Sequence, residues 1–237
     1  MNDQEKAVKS LGVAIDILED LQISKDSYAI GGGTVLSQLY NHRISKDIDI
    51  FIWDPQLFDR LNPRSSIVDR EDVSYYHQDS IFFQVVIPTG KIDFILAGQL
   101  TDFLPQEKEI LNHQVNIEHP VEIVSKKIFY RGTEANSRDI FDFAVVSDLY
   151  GKDLRNAMRS FPNRTKDFFD RVKNIHCLQS KQYSIENSKL ILPGGEKYIG
   201  KERDMTINFL ENFILNERLG NKPALRFNRP QKGHERE

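Results

Sequence analysis

The strongest constraint in this sequence lies between residues 29 and 51, where a glycine-rich turn, a short helix and an acidic strand follow one another. The turn consists of Gly31, Gly32 and Gly33, which lack a Cβ atom and so allow left-handed backbone and close approach of a ligand to peptide N–H groups. Thr34 is predicted to begin the helix, whose unpaired N–H groups and partial positive charge suit a phosphate group. Glycine turns before helices are common, so this part of the pattern alone is weakly specific.

The predicted strand after this helix alternates acidic and apolar side chains with a period of two, from Asp47 to Ile52. Asp47 and Asp49 therefore project from one face, and isoleucines fill the other. Two carboxylates on one strand face repel each other, so the pair costs stability unless a cation lies between them. Magnesium, which binds one or two carboxylates together with phosphates and waters, is the ion that this pattern favours. The alternative is a solvated edge strand that carries two acids.

A third acid, Asp93, lies in a similar setting. Residues 81–87 and 91–96 are two β-rich runs joined by a Pro-Thr-Gly turn, which predicts a hairpin. Asp93 shares a strand face with Lys91 and Ile95, while the other face is apolar. An unpaired acid would be costly to bury there. A metal ion shared with the two acids of the earlier strand would explain its presence.

Composition limits the possible functions. The formal net charge is -3, so nucleic-acid binding would require a local basic patch. Cys177 is the only cysteine, which excludes an intrachain disulfide and a cysteine-based zinc cluster. No apolar run approaches the length that spans a bilayer, and the first ten residues are mostly polar. These features predict a soluble, cytoplasmic protein with no membrane partner.

Periodicity divides the chain into a mixed part and a helical part. Apolar residues recur at helical spacing over residues 3–21, residues 62–79 read as a loop or lid, and residues 101–114 read as a connection with one helical turn. Beyond residue 119 the patterns are helical. We expect an α+β protein with three parts: a core domain (1–118), a helical domain completing the site (119–220) and a flexible basic tail (221–237).

Charged residues on the predicted helices allow two interpretations. Lys127 and Arg131 share a helix face with Lys126 alongside, a basic stripe that is usually solvated, although Lys126 could instead contact a triphosphate. Arg138 and Asp142 are four residues apart and could form an intrahelical salt bridge. Arg43, which follows the second helix, fits a helix cap as well as it fits a phosphate contact.

The order of these motifs resembles the nucleotidyltransferase core of the DNA polymerase β superfamily. The residues that carry the resemblance are Gly32-Gly33-Thr34, Asp47-Ile48-Asp49-Ile50 and the later strand residue Asp93. Residues 122–131 and 137–143 are similar to the Lys-rich and Arg-Asp-x-x-Asp helices of the AbiEii/AbiGii toxin-type branch. The resemblance covers about residues 30–149, and the last third of the chain matches no family that we can name.

This resemblance implies a nucleotidyltransferase fold, a mixed β-sheet with flanking helices, followed by a helical bundle. It implies an enzyme that uses Mg²⁺ or Mn²⁺ to move a nucleotide from an NTP to an acceptor hydroxyl, with release of pyrophosphate. In the toxin-type branch the acceptor is the 3′ end of tRNA, and an antitoxin protein is a partner of the toxin. Other RNA acceptors, transfer to an antibiotic or a protein, and a catalytically silent nucleotide-binding scaffold remain open alternatives.

The resemblance also assigns roles to individual residues. Asp47, Asp49 and Asp93 would hold the metal ions, and Asp139 would serve as the base in a mechanism with one metal ion. Seven residues would contact the substrate or its phosphates: Gly32, Gly33, Thr34, Arg43, Ser45, Lys126 and Arg138. Sequence does not decide between one and two metal ions.

Overall fold

The computed structural model describes residues 1–62, 67–188 and 191–220, and the predicted basic tail, residues 221–237, lies outside them. The helices are α1 (Asp3–Asp20), α2 (Gly32–Tyr40), α3 (Pro55–Phe58), α4 (Pro120–Arg131), α5 (Ser137–Met158), α6 (Pro162–Ser188) and α7 (Glu202–Gly220). The strands are β1 (Tyr28–Gly31), β2 (Ile48–Ile52), β3 (Tyr75–Gln78), β4 (Phe82–Ile87), β5 (Gly90–Leu96), β6 (Gln106–Ile110) and β7 (His113–Ile117). None of the helices in the described ranges is long and apolar enough to cross a membrane.

The strands form one mixed sheet in the order β3-β4-β5-β2-β1-β7-β6. β2 pairs in parallel with β5 and antiparallel with β1, and β1 pairs in parallel with β7. The predicted hairpin is present as the antiparallel pair β4 and β5. Four helices follow β7 in the described part of the chain, and this architecture confirms the predicted α+β class.

Helix α1 covers the apolar face of the central strands. Asn2 and Glu5 form a capping box that fixes its start, and Leu11 and Leu18 are among its fully buried residues. These side chains join Ile92 of β5 in one apolar cluster. Because neighbouring strand residues point to opposite faces, the acids of β2 and β5 project away from α1. The face with the acids is therefore available for a site.

Two local predictions were wrong. Residues 101–114 contain strand β6, which pairs antiparallel with β7 through a turn where Leu111 and Asn112 have positive φ. This edge strand carries exposed charged residues, a common protection of sheet edges, and charge concealed its strand character in the sequence. Helix α2 begins at Gly32 and not at Thr34. A helix that begins at a glycine cannot be recognised from its first side chain, because glycine has no side chain.

One apolar cluster extends from α1 through the sheet into the later helices, with Ile50 and Phe143 as fully buried members. Helix α5 packs on α4 and on α7, and its single non-helical residue, Tyr150, divides it into two segments. The predicted boundary at residue 118 falls between β7 and α4 and stays a prediction. The helices α4 and α5 are thereby held across from the acidic strands.

Candidate active site

A cleft of about 290 Å³ lies between the acidic face of the sheet and helices α4 and α5. It brings together most of the residues that the sequence predicted for a site, from segments far apart in the chain. These are Gly32, Gly33, Arg43, Ser45, Asp47, Asp49, Asp93, Lys126, Arg138 and Asp139. Residues not predicted also line the cleft, namely Phe51, Gln84, Lys91, Ile95, Ile123, Lys127, Tyr130 and Arg131.

The acids form the sheet side of the cleft, which we call the acidic wall (Asp47, Asp49 and Asp93). Parallel pairing of β2 and β5 places Asp49 directly beside Asp93. Burial, with the nearby charge of Asp93, raises the pKa of Asp49 to about 6. Burial also raises the pKa of Asp93, although Gln84 Nε2 donates a hydrogen bond of 2.7 Å to its Oδ1. The three carboxylates therefore repel one another without full compensation.

The glycine turn makes room for these side chains. Gly32 has φ +68°, and a Cβ atom there would overlap the carboxylate of Asp49. A Cβ on Gly33 would overlap the guanidinium of Arg43. The turn is thus packed against site side chains from β2 and the segment before it. Any larger residue at these two positions would displace them.

Thr34 does not line the cleft, contrary to its predicted phosphate contact. Its side chain is fully buried and its hydroxyl donates a hydrogen bond of 2.6 Å to the backbone oxygen of Asp47. The same hydroxyl lies 3.1 Å from Ser45 Oγ. In this structure Thr34 fixes the backbone that carries Asp47, because its short side chain is directed into the protein from the first turn of α2.

The opposite side of the cleft is formed by Lys127, Arg131 and Asp139 on α4 and α5. Together with Asp142, which is buried behind them on α5, we call these residues the paired wall. Lys127 Nζ donates hydrogen bonds of 2.9 Å to Asp139 Oδ1 and 2.6 Å to Asp142 Oδ2. Arg131 pairs with the same oxygen of Asp139. Burial would raise the pKa of Asp139, but Lys127 and Arg131 outweigh burial and lower it. Asp139 is therefore a weak base in this arrangement.

Arg43 is not a helix cap. Helix α2 ends at Tyr40 and is capped by Asn41, which adopts a left-handed conformation, and Arg43 is directed into the protein. Its Nε and Nη2 donate two hydrogen bonds of 2.6 Å to the carboxylate of Asp142. This two-pronged contact leaves one edge of the guanidinium beside Gly33 at the cleft.

Lys126 is 5% exposed and its ammonium pairs with Glu118 and lies 3.5 Å from Glu122. The ammonium also lies 4.1 Å from the centre of the Phe51 ring. Burial raises the pKa of Glu118 to about 7, in spite of the adjacent ammonium. The charge of Lys126 is thus taken up mainly behind the cleft.

Lys127 and Arg131 are the site residues that sequence reasoning missed. Both lower the pKa of Asp49, against its burial, so their charges reach the acidic wall. Their spacing of four residues was read as an exposed stripe. The signal that could have identified them is the opposite charge of Asp139 on the next helix, which needs a basic partner if that helix packs on α4.

More cationic than acidic side chains line the cleft, although the chain as a whole carries more acids. Six cationic and four acidic side chains line it, compared with a formal net charge of -3 for the whole chain. Arg131 is half-exposed and Arg138 also borders the cleft. Because Arg43 and Lys126 are paired with acids behind the cleft, Arg131 and Arg138 at its border are the cations best placed to attract an anionic ligand.

The acidic wall fits a divalent cation by its chemistry. Carboxylate oxygens are the ligands that Mg²⁺ uses, and a cation would relieve the repulsion that raises the pKa of Asp49. Within residues 1–62, 67–188 and 191–220, no three acid, histidine or cysteine side chains are already arranged around one point. One or two carboxylates suffice for Mg²⁺ when substrate phosphates and waters complete the shell.

Comparisons with known proteins identify the family and the fold of the chain. A family model described as "Nucleotidyl transferase AbiEii toxin, Type IV TA system" matches residues 16–213. No curated protein sequence matches the chain. A crystal structure from H. pylori, described as a nucleotidyltransferase, is similar with a TM-score of 0.51 and 16% identity, covering 91% of this chain and 98% of that one. This likeness shows the fold.

A second similar structure is the solution structure of the antibiotic-resistance factor ANT(2'')-Ia. It has a TM-score of 0.49 and 14% identity, and the match covers 71% of this chain and 97% of that one.

Proposed function

The chain belongs to the AbiEii family of nucleotidyltransferase toxins, and on this basis we propose a specific reaction for its cleft. The protein transfers a nucleotide from an NTP to an acceptor hydroxyl, with the 3′ end of tRNA as acceptor and with Mg²⁺ bound by the acidic wall. The toxin acts within a toxin-antitoxin system, and an antitoxin protein is its partner. The coarse activity, nucleotidyl transfer, follows from the family itself.

The observation that carries this proposal is the meeting of three acids with the glycine turn and with Lys127 and Arg131 of the paired wall in one cleft. A nucleotide triphosphate needs a cation at its phosphates and donors for its leaving group. The acidic wall offers the first, and Gly32, Gly33, Lys127 and Arg131 offer the second. A protein that only bound a partner would have no use for carboxylates that repel one another.

Asp47, Asp49 and Asp93 would hold the ion or ions. When bound, Mg²⁺ neutralises charge on the phosphates and lowers the pKa of a hydroxyl that it contacts. The protein contributes alignment of the acceptor oxygen with the α-phosphorus, from which pyrophosphate leaves on the opposite side. Gln84 supports this alignment by holding Asp93 through its hydrogen bond.

On the phosphate side the proposal differs from the sequence prediction in two residues. Thr34 positions the segment of Asp47, and Lys126 acts behind the cleft, as their contacts indicate. Lys127 and Arg131 take the place of Lys126 as the cations closest to the phosphates. Gly32, Gly33, Arg43, Ser45 and Arg138 keep their predicted roles as substrate contacts.

Asp139 was predicted as the base of a mechanism with one metal ion. Its lowered pKa makes proton uptake unfavourable while Lys127 and Arg131 are bound to it. We propose that it instead holds these two cations towards the acidic wall.

RNA is favoured as acceptor by the charge of the cleft. The excess of cationic lining residues and the position of Arg138 at its border suit a phosphate backbone. An aminoglycoside, which is itself cationic, would be better served by an acidic border.

The test is transfer of label from α-labelled NTPs to total tRNA in the presence of Mg²⁺, compared with an antibiotic panel. Asp49→Asn serves as the matched inactive variant, since it removes one charge without changing size. Label at the 3′ end of tRNA with wild type alone supports the proposal. Label on an antibiotic would change the acceptor, and no label on any acceptor would overturn the reaction.

A further inference from the structure

Asp142 on α5 is the most heavily bonded side chain near the cleft, although it does not line the cleft. Its carboxylate is completely buried and accepts hydrogen bonds from Arg43 and Lys127. His42 Nε2 lies 2.8 Å from Asp142 Oδ1. Burial would raise the pKa of Asp142, but Arg43, Lys127 and His42 hold it well below its usual range. Asp142 is therefore a permanently charged acceptor.

The partners of Asp142 come from different parts of the chain. Arg43 belongs to the segment between α2 and β2, which also carries Ser45 and Asp47, while Lys127 belongs to α4. Arg138, the partner that spacing on α5 suggested, is not the residue that its carboxylate contacts in the described part of the chain. One carboxylate thus ties the sheet side of the cleft to its helical side.

Both cations bound by Asp142 line the cleft. The two-pronged contact fixes the plane of the Arg43 guanidinium beside Gly33. Lys127 Nζ donates hydrogen bonds to both Asp139 and Asp142. These two bonds hold the ammonium in one direction, although the lysine side chain is flexible. Removal of Asp142 would free the Arg43 guanidinium to turn and would leave Lys127 held by Asp139 alone.

We propose that Asp142 is a positioning residue, which holds Arg43 and Lys127 at a fixed separation so that both can contact the phosphates of one nucleotide. This inference rests on the proposed function, because it presumes that a nucleotide occupies the cleft. Asp142 touches neither the nucleotide nor the acceptor and acts through the two cations.

Charge and geometry make opposite contributions when Asp142 is changed. Asp142→Asn removes one negative charge and leaves Arg43 and Lys127 charged, so attraction of a nucleotide is undiminished or stronger. The alignment of the two cations is lost, and a misplacement of about 1 Å can lower a rate about 100-fold. We expect kcat for nucleotidyl transfer to fall about 100-fold while KM and the Kd for NTP stay within about threefold of wild type.

The experiment measures three quantities on purified full-length protein: kcat and KM for transfer, and Kd with stoichiometry for NTP·Mg²⁺ by calorimetry. A fall in kcat at unchanged binding stoichiometry supports positioning. An equal fall of kcat and stoichiometry means that Asp142 only maintains the fold, which overturns the inference. Unchanged kcat overturns it as well.

Glu202→Gln is the matched control, since Glu202 is a buried carboxylate on α7 that does not line the cleft. It is expected to leave kcat and Kd unchanged. If Asp142→Asn does not fold, Arg43→Lys tests the same contact from its other end, because lysine keeps the charge and cannot make the two-pronged bond. A fall in kcat with retained NTP binding supports the inference, and wild-type kcat overturns it.

Failure of the proposed function gives a different result. In that case wild-type protein itself binds no NTP and labels no acceptor. The inference about Asp142 fails only when wild type is active and the variants do not show the separation of kcat from binding.

Discussion

The acidic wall and the paired wall face each other across one cleft, and the pKa values of their carboxylates are shifted in opposite directions. On the acidic wall, burial and neighbouring acids raise the pKa of Asp49 and Asp93. On the paired wall, lysine and arginine outweigh burial and lower the pKa of Asp139 and Asp142. Acids that the protein leaves uncompensated are suited to an external cation, whereas acids that it compensates serve to hold other side chains.

The difference arises from which elements carry the acids. Strands β2 and β5 run side by side, so their residues meet at fixed register and Asp49 cannot avoid Asp93. Helix α4 presents long basic side chains that can bend towards the acids of α5. The candidate metal site therefore lies where strand pairing forces like charges together. The residues that support the site lie where flexible side chains can neutralise the acids.

The largest expected effect is on catalysis at the acidic wall. Asp49→Asn should lower nucleotidyl transfer at least about 1000-fold, equivalent to about 4 kcal/mol, because one ligand for the cation is lost. The free energy of unfolding should be unchanged or higher, since repulsion with Asp93 is relieved. Transfer assays and urea unfolding of the same preparation check both parts. A large loss of stability would mean that the acidic wall is structural.

A substitution in the paired wall should change the free energy of unfolding. Asp142→Ala is expected to lower the free energy of unfolding by about 3–5 kcal/mol, because the buried Arg43 loses its partner. Urea unfolding measures this. The matched change Asp148→Ala on the same helix removes an exposed pair with Lys197 and a hydrogen bond from Tyr198, and should cost no more than about 2 kcal/mol. Equal losses for the two variants would contradict the distinction between the walls.

The glycine turn tests how closely the acidic wall is packed. Gly32→Ala should cost about 1–2 kcal/mol for positive φ and more for the overlap with Asp49. Gly200→Ala is the control, because Gly200 has φ +70° and no atom within 4 Å of an added Cβ. Thermal or urea unfolding of both variants isolates the overlap. Identical losses would show that Asp49 moves aside freely.

The smallest expected effect concerns Glu118, an acid that is paired with Lys126 and yet has its pKa raised, by burial, to about 7. Its folded form binds a proton more tightly than its unfolded form, so its contribution to stability is lost as pH rises from about 4.5 to about 7. Glu118→Gln lacks this loss. The stability of wild type relative to this variant should therefore fall by about 1–3 kcal/mol between pH about 5 and about 8.

Urea unfolding at the two pH values measures this change, and Glu202→Gln serves as a second buried carboxylate variant. If the difference in the free energy of unfolding between wild type and Glu118→Gln stays constant with pH, the charge of Glu118 is fully compensated, as are the acids of the paired wall. If the difference falls as expected, Glu118 is intermediate between the acids of the two walls, because the charge of its partner Lys126 does not fully offset the effect of burial.

Much of the site could be predicted because its residues lie in short-range patterns. The alternation around Asp49 and Asp93 defines a strand face, and parallel pairing then brought the two acids together as expected. Edge strand β6 was missed because its charged residues concealed its strand character. Such residues are common on edge strands, but the local sequence pattern does not show that a segment lies at a sheet edge.

The sequence by itself determined the family, the α+β class, the acidic strands and the glycine turn, since strand and helix periods fix which side chains share a face. Only the tertiary structure decided how the charges pair. Lys126 and Lys127 are neighbours in sequence, yet one pairs with Glu118 behind the cleft and the other with Asp139 inside it. Arg43 meets Asp142 from 99 residues away. Long side chains can reach several partners, and packing of α4 and α5 against the sheet selects among them.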